Sequence, residues 1–355
     1  MLRLLSSARR QRFAQLQFCL LCLALVPAAL AQGDPEIVWQ TNSGGTVVAF
    51  SADGQLLMAG TRLFLAGDGT LLRNFVLPYN GNGPRSVAFS PDGQYAAVGI
   101  QAFNQNLDLF RVADGALLAG RISAHSNGTT SVAFSPDGQL LATGGRDGTA
   151  KLWHLPEMTL IRTLNGGVGY RPRVFAVAFS PDGETLAVGG QAGVVLYRVS
   201  DGELLREFAG AGSTLALAIS PDNQYLASGS DVIDQQGQCA DCAVKTWRLS
   251  DGALLQRIDT NNDAPLAIAF SPSEMIIAAG SEDRLTSTGL VRFWALSDGQ
   301  LLRFFNLGAG DPTTSYVSGF AYSPDGTLFA AASTNQHLVV ARNPFMTKKK
   351  LQPLR

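Results

Sequence analysis

Two cysteines in the run Cys239-Ala240-Asp241-Cys242 are the residues of this 355-residue chain best suited to redox or metal chemistry. That spacing lets one thiolate be stabilised beside the other, lets the pair close as a disulfide, or supplies half of a tetrahedral metal site. Metal binding would need two further ligands from elsewhere. Covalent haem attachment would need a histidine after the second cysteine, where Ala243 stands. No strand-helix context of a thioredoxin type surrounds the pair. In an oxidising compartment the expected state is a disulfide between Cys239 and Cys242 that stiffens its loop, with redox use of the pair as the alternative. Beyond them stand three histidines, His125, His154 and His337, too dispersed to predict a shared metal site. Asp and Glu recur at equivalent turn positions, which marks them as turn formers and not as an acid/base pair. There is no phosphate-binding loop, zinc-protease helix or nucleophile elbow. The expectation is therefore a protein without catalytic residues, metal or cofactor.

The elements that carry these residues repeat. Val48-Ala49-Phe50-Ser51-Ala52-Asp53-Gly54 recurs from Val87, Val132 and Val177 with Ser-Pro-Asp-Gly, and in degenerate form from Leu217, Ile268 and Phe320. The anchors Phe50, Phe89, Phe134, Phe179, Ile219, Phe270 and Tyr322 stand about 39 to 52 residues apart, near the ~40–45 expected of a four-stranded propeller blade. Continuous small or apolar runs such as Leu140-Leu141-Ala142-Thr143-Gly144 suit strands buried on both faces. Between first and second strands, Pro presets φ, Asp bonds its own backbone and Gly accepts positive φ, so each copy closes an antiparallel hairpin. Third strands carry Lys151-Leu152-Trp153, Lys245-Thr246-Trp247 or Arg292-Phe293-Trp294.

The stretch from His125 to Trp153 resembles a WD repeat almost position by position. The resemblance covers roughly residues 36–343 and implies an all-β fold: a seven-bladed β-propeller of four-stranded antiparallel blades. It also implies that His125, Thr143, Asp147 and Trp153 form a hydrogen-bonded structural tetrad inside one blade. The other units lack the histidine and often the tryptophan. The last unit ends after its third strand, near Val339-Val340-Ala341, while Glu36-Ile37-Val38-Trp39-Gln40 is a strand without a blade. The N-terminal strand is therefore expected to complete the last blade and leave no open sheet edge. The starts of the innermost strands, read as Thr46, Ser86, Thr130, Phe175, Thr214, Leu266 and Val317, would line the central channel without an acid, base or strong nucleophile.

Residues 1–31 differ from the rest. Arg3, Arg9, Arg10 and Arg12 precede an apolar run at 18–30, too short to span a bilayer and containing Pro27, and Ala29-Leu30-Ala31 offers a cleavage site. This predicts a signal peptide and export to a periplasmic or extracellular space. Its removal takes four basic residues and no acid, so the formal net charge falls from −1 to −5. A mildly acidic surface argues against nucleic-acid binding. Residues 32–343 would form a monomeric propeller, and 344–355, with Lys348, Lys349 and Lys350, a solvated basic tail.

In the resembling family, partners dock on the face that carries the loops between blades and those between second and third strands. Here that face would present Tyr79, Tyr170, Arg171, Arg173, Asp311 and Tyr316, with inserts at 101–106, 231–241 and 281–287. The opposite face repeats Pro-Asp-Gly turns, and variation concentrates where scaffolds place function. The expected role is an interaction scaffold for a protein or peptide. The alternative is a small ligand or carbohydrate at the channel mouth.

Overall fold

Each Val-Ala-Phe-Ser phrase begins a four-stranded meander running from the channel outward. The structure, a computed structural model, describes residues 35–77, 83–167, 173–233, 239–261, 263–283, 288–307 and 316–346. These form seven four-stranded antiparallel sheets, with no helix among the described residues. Blade three is representative: Thr129–Phe134, Leu140–Gly145, Thr149–His154 and Thr159–Asn165 follow one another in space as in sequence.

The core is a set of seven wedges, one between each pair of neighbouring blades. Met58 and Leu63 of blade one pack with Phe89, Val98 and Phe110 of blade two, and so on round to Leu338 and Val340 of blade seven against Leu57 and Phe64 of blade one. Second strands are buried on both sides because each is covered by two blades, which explains their unbroken runs of small and apolar residues. Gly144 shows how close the approach is. A Cβ there would lie 2.7 Å from Val174 Cγ1 of blade four.

The turn between first and second strands depends on a residue beyond Pro, Asp and Gly. Buried Ser135 donates its hydroxyl to Asp137 Oδ1 and accepts from the Leu140 amide at 2.9 Å, while Asp137 accepts from the Gln139 amide at 3.0 Å. Ser51, Ser90, Ser180, Ser220 and Ser323 repeat this arrangement, with Asn223 at φ 59° in the glycine position of blade five. Blade six substitutes Glu274, whose carboxylate accepts from Ser271 at 2.8 Å.

Closure uses the N-terminal strand. Ile37–Thr41 pairs antiparallel with Leu338–Arg342, from Thr41 opposite Leu338 to Ile37 opposite Ala341, as the outer strand of blade seven. Trp39 then donates its indole N–H to the Ala66 carbonyl of blade one at 2.8 Å. The first and last described strands are thereby joined and the last blade has its outer strand.

Two inserts are more regular than their sequences imply. In blade five the strands Tyr225–Ile233 and Cys239–Arg248 continue the ladder into the insert, with Asp231 opposite Cys242 and Val232 opposite Asp241. In blade six Ile276–Asp283 and Thr288–Ala295 do the same as far as Asp283 opposite Thr288. β-Branched Val232 and Ile233 favour that extension.

Candidate functional site

Five of the seven innermost strands are bulged where they reach the channel. The register slips between Pro84 and Ser86, Thr129 and Ser131, Val174 and Ala176, Thr214 and Ala216, and Val317 and Gly319. A bulge leaves one residue unpaired and re-aims its side chain. The bulged residues are Arg85, Thr130, Phe175, Leu215 and Ser318, and all five line a cavity of about 830 Å³ at the channel mouth, joined by Thr46 and Leu266. This corrects the sequence-based lining in three blades. Thr214 and Val317 are fully buried within their sheets, and Ser86, though at the cavity wall, accepts from the Val132 amide at 3.0 Å. Counting two residues back from the Val, Leu, Ile or Phe that opens each repeat phrase finds the right set, because that count carries the bulge with it.

The correction matters because Arg85 is a base in a channel expected to have none. Arg146, just after the second strand of blade three, also lines the cavity, with Tyr316, Thr334 and Gln336 on the far side. Burial pushes the Arg146 guanidinium below its ordinary value, and the charges of Arg173 and Arg85 push the same way. Arg85 and Arg173 are exposed. The neighbouring carboxylate, Asp147, pairs with none of these arginines and is held by His125, Thr149 and the Ser126 amide.

Asp147 belongs instead to a polar chain inside blade three. His125 Nδ1 lies 2.9 Å from Asp147 Oδ1, His125 Nε2 lies 2.8 Å from Thr143 Oγ1, and the Trp153 indole N–H donates to Thr143 Oγ1 at 3.0 Å. Gly145 leaves room for the ring, since a Cβ there would sit 2.1 Å from His125 Cγ. From blade two, fully buried Asn106 accepts from the His125 amide at 3.2 Å and from the Thr129 hydroxyl at 2.9 Å, so the chain also ties two blades together. Asn106 has no sequence signal of its own, being one residue at the end of an insert. Burial alone would raise the Asp147 carboxyl, but hydrogen bonds from His125, Thr149 and the Ser126 amide, with the His125 charge, hold it well below the usual carboxylate range.

A depressed folded-state value means that the unfolded chain takes up this proton at higher pH than the folded one. The resulting stability is complete above the ordinary carboxylate value of 3.8 and is lost as pH falls below it. Asp147→Asn is expected to cost about 1.5–3 kcal/mol at neutral pH, the size of a hydrogen bond to a charged group, and less at pH 3. Urea midpoints of both proteins at pH 7 and pH 3 check this; an equal difference at the two values would refute it.

Blade five keeps half of this arrangement. Trp247 donates to Ser228 Oγ at 3.0 Å, with no histidine beyond. Its buried Lys245 pairs with Asp241 and donates to the Gly210 carbonyl at 2.7 Å. Cys239 and Cys242 are joined as a disulfide across the start of the third strand, with Asp231 beside Cys242.

The family profile for the WD domain, G-beta repeat (WD40), matches residues 117–154, 158–197, 202–248 and 300–340. The chain carries WD40 repeats in a seven-bladed β-propeller. Each matched repeat begins in the outer strand of one blade and ends in the third strand of the next, so this WD40 propeller's repeat boundary and its blade boundary differ by one strand. That offset is why the last unit lacks an outer strand and the N-terminal segment supplies it. Human WD repeat-containing protein 36 is 26% identical over 203 residues, covering 56% of this chain and 21% of its own length. An uncharacterized WD repeat-containing protein, sll1491, of Synechocystis is 32% identical over 123 residues, 34% of this chain and 29% of its own. The WD40 propeller thus spans less than a third of these relatives. Among solved structures, a chain in the crystal structure of the Mitotic Checkpoint Complex superposes with TM-score 0.72 at 17% identity, covering 88% of this chain and 93% of that one, a likeness of fold.

On this WD40 propeller the candidate contact residues divide. Tyr316, at 37% exposure, borders the channel mouth, and Arg173 is exposed beside Arg146. Tyr79, Tyr170, Arg171 and Asp311 lie outside the described residues. On the same face stand Phe103 at 79% exposure, in the 101–106 insert, and Val76 at 78%, neither of which the sequence singles out.

Proposed function

We propose that this protein is an exported, non-catalytic interaction scaffold that binds a protein or peptide through the face around the channel mouth. The observation that carries the reading is the contrast between the two faces. One repeats a single Ser-Pro-Asp-Gly turn with the same hydrogen bonds in blade after blade, while the other combines an 830 Å³ cavity, two extended hairpins and the exposed apolar side chains Val76, Phe103 and Tyr316. Apolar and aromatic groups left in water at a rim of irregular loops are what a partner would bury. WD40 propellers commonly bind protein partners, and the structurally similar chain comes from a complex. Export is supported by the basic and apolar pattern of residues 1–31 and by the Cys239–Cys242 disulfide, a bond that persists in oxidising compartments.

Cross-linking the full chain in its native periplasmic or extracellular fraction, with mass-spectrometric mapping, tests this. One partner should be captured reproducibly through the channel-mouth face by protein that begins at Gln32, with capture reduced at least about tenfold by Phe103→Ala with Tyr316→Ala. Cross-links scattered over both faces, or a chain that retains residues 1–31, would contradict the corresponding part. A second reading, a small ligand or carbohydrate in the cavity, is favoured by the cavity's size, which lies in the range of small-molecule sites.

A further inference from the structure

The seven channel-facing positions are sorted by blade. Going round the ring, Ser318, Thr46, Arg85 and Thr130 of blades seven, one, two and three form a polar arc, and Phe175, Leu215 and Leu266 of blades four, five and six form an apolar one. Above the polar arc Arg146 reaches the cavity beside Arg85, and Arg173 stands close enough to Arg146 for its charge to act on it. None of these three arginines is in an ion pair with a described residue. Asp147, adjacent in sequence to Arg146, is held by His125, Thr149 and the Ser126 amide. Arg146 Nε, shielded from solvent, has no hydrogen-bond partner. Gathering three cations with no counter-charge among the described residues is unfavourable in this chain of near-neutral formal charge.

We propose that the channel mouth is a carboxylate-binding site that takes an acidic residue of an extended peptide segment, with the segment's neighbouring aliphatic side chain lying on Phe175, Leu215 and Leu266. The proposal rests on the scaffold reading and names the chemistry of its partner. Guanidinium groups match carboxylates in geometry and charge, and a donor left unpaired until an anion arrives contributes its full hydrogen bond on binding. An extended chain sends alternate side chains to opposite sides, which suits a channel with one charged wall and one apolar wall. A free inorganic anion would use only the charged wall and leave most of the 830 Å³ unfilled.

The test uses the full chain and two fluorescent hexapeptides, one of alternating Glu and Leu, the other of alternating Gln and Leu, with inorganic phosphate as a third probe. The Glu-Leu peptide should bind at least about tenfold more tightly than the Gln-Leu peptide, and Arg85→Gln with Arg146→Gln should abolish that preference, each lost charged hydrogen bond being worth about tenfold or more. Arg85→Gln alone, at an exposed position, should weaken the Glu-Leu peptide without changing the melting temperature. Equal affinity for both peptides would overturn the proposal, as would phosphate binding without peptide binding, which would assign the arginines to a small anion. The outcome separates from that of the scaffold reading. Cross-linking capture that survives the double arginine substitution removes this site and leaves the scaffold, whereas discrimination between peptides without any captured partner removes the scaffold and leaves the site.

Discussion

Deleting residues 35–41 is expected to drive the protein into aggregates, a larger effect than any single substitution in the ring. The deletion removes the Ile37–Thr41 ladder to Leu338–Arg342 and the Trp39 contacts with Ala66 and with Phe64, whose ring centroid is 5.5 Å away. Trp39 alone accounts for about 3 kcal/mol, since it is only partly buried. Each lost ladder hydrogen bond adds about 1 kcal/mol. Together these approach the whole stability margin of a domain, about 5–15 kcal/mol. What is uncovered is worse than what is lost: Leu338, Val339 and Val340, buried in the closed ring, become a long apolar edge that templates pairing between molecules. Size-exclusion chromatography with light scattering should show large species for the deletion and a monomer for the intact chain. A synthetic peptide of residues 35–42 added during refolding should restore part of the monomer by strand addition, and the same peptide with Trp39→Ala should restore less. A deletion variant that stays monomeric, with an unchanged melting temperature, would show that the clasp is dispensable.

The clasp was legible because it is a counting argument. A last unit that stops at Ala341 and a lone strand at Glu36 are complementary remainders of a four-strand period, whatever their side chains. The blade phrase was legible for a related reason, since Val-Ala-Phe-Ser marks both a buried strand and its turn, and seven copies overcome the ambiguity of any one short apolar run. Counting failed at the channel, where the bulge before the phrase in blades two, five and seven shifts the facing side chain by one residue and replaces Ser86, Thr214 and Val317 with Arg85, Leu215 and Ser318. Strand starts look alike in sequence whether bulged or not, because a bulge is a property of pairing with the second strand. The extended hairpins of blades five and six escaped for the converse reason. Asp231 and Glu282 read as loop residues, yet ladder pairing across from Cys242 and Gly289 carries them as strand. Asn106 shows a third limit: two of its partners, His125 and Thr129, belong to the next blade, and nothing local announces an interblade hydrogen bond.

Phe293→Ala is expected to be the most destabilising single core substitution, by about 3–5 kcal/mol. Phe293 is 1% exposed and stands at the wedge between blades six and seven, with the rings of Phe305, Phe320, Phe329 and Phe345 at centroid distances of 6.4, 6.1, 5.7 and 5.5 Å. Its neighbours are held by strands on three sides, and Phe345 is anchored beside Asn343, whose amide donates to the Gly326 carbonyl at 2.8 Å. The cavity left by truncation therefore collapses poorly, and the cavity contribution adds to the transfer free energy instead of relaxing away. The edge-to-face pairs with Phe320 and Phe329 are lost as well, at about 0.5–1.5 kcal/mol each beyond their area. Leu72→Ala is the matched control. That side chain is 46% exposed on the outer strand of blade one, and its truncation should stay within about 0.5 kcal/mol. Because stability in a stacked ring passes between neighbours, the weakened wedge lies beside the blade that the N-terminal strand must close. Combining Phe293→Ala with Trp39→Ala should then cost more than the sum of the two, whereas Phe293→Ala with Leu152→Ala, between blades three and four, should add. Urea midpoints for the four variants and the two pairs decide it: strict additivity in both pairs would mean that the seven wedges hold independently and that closure does not couple them.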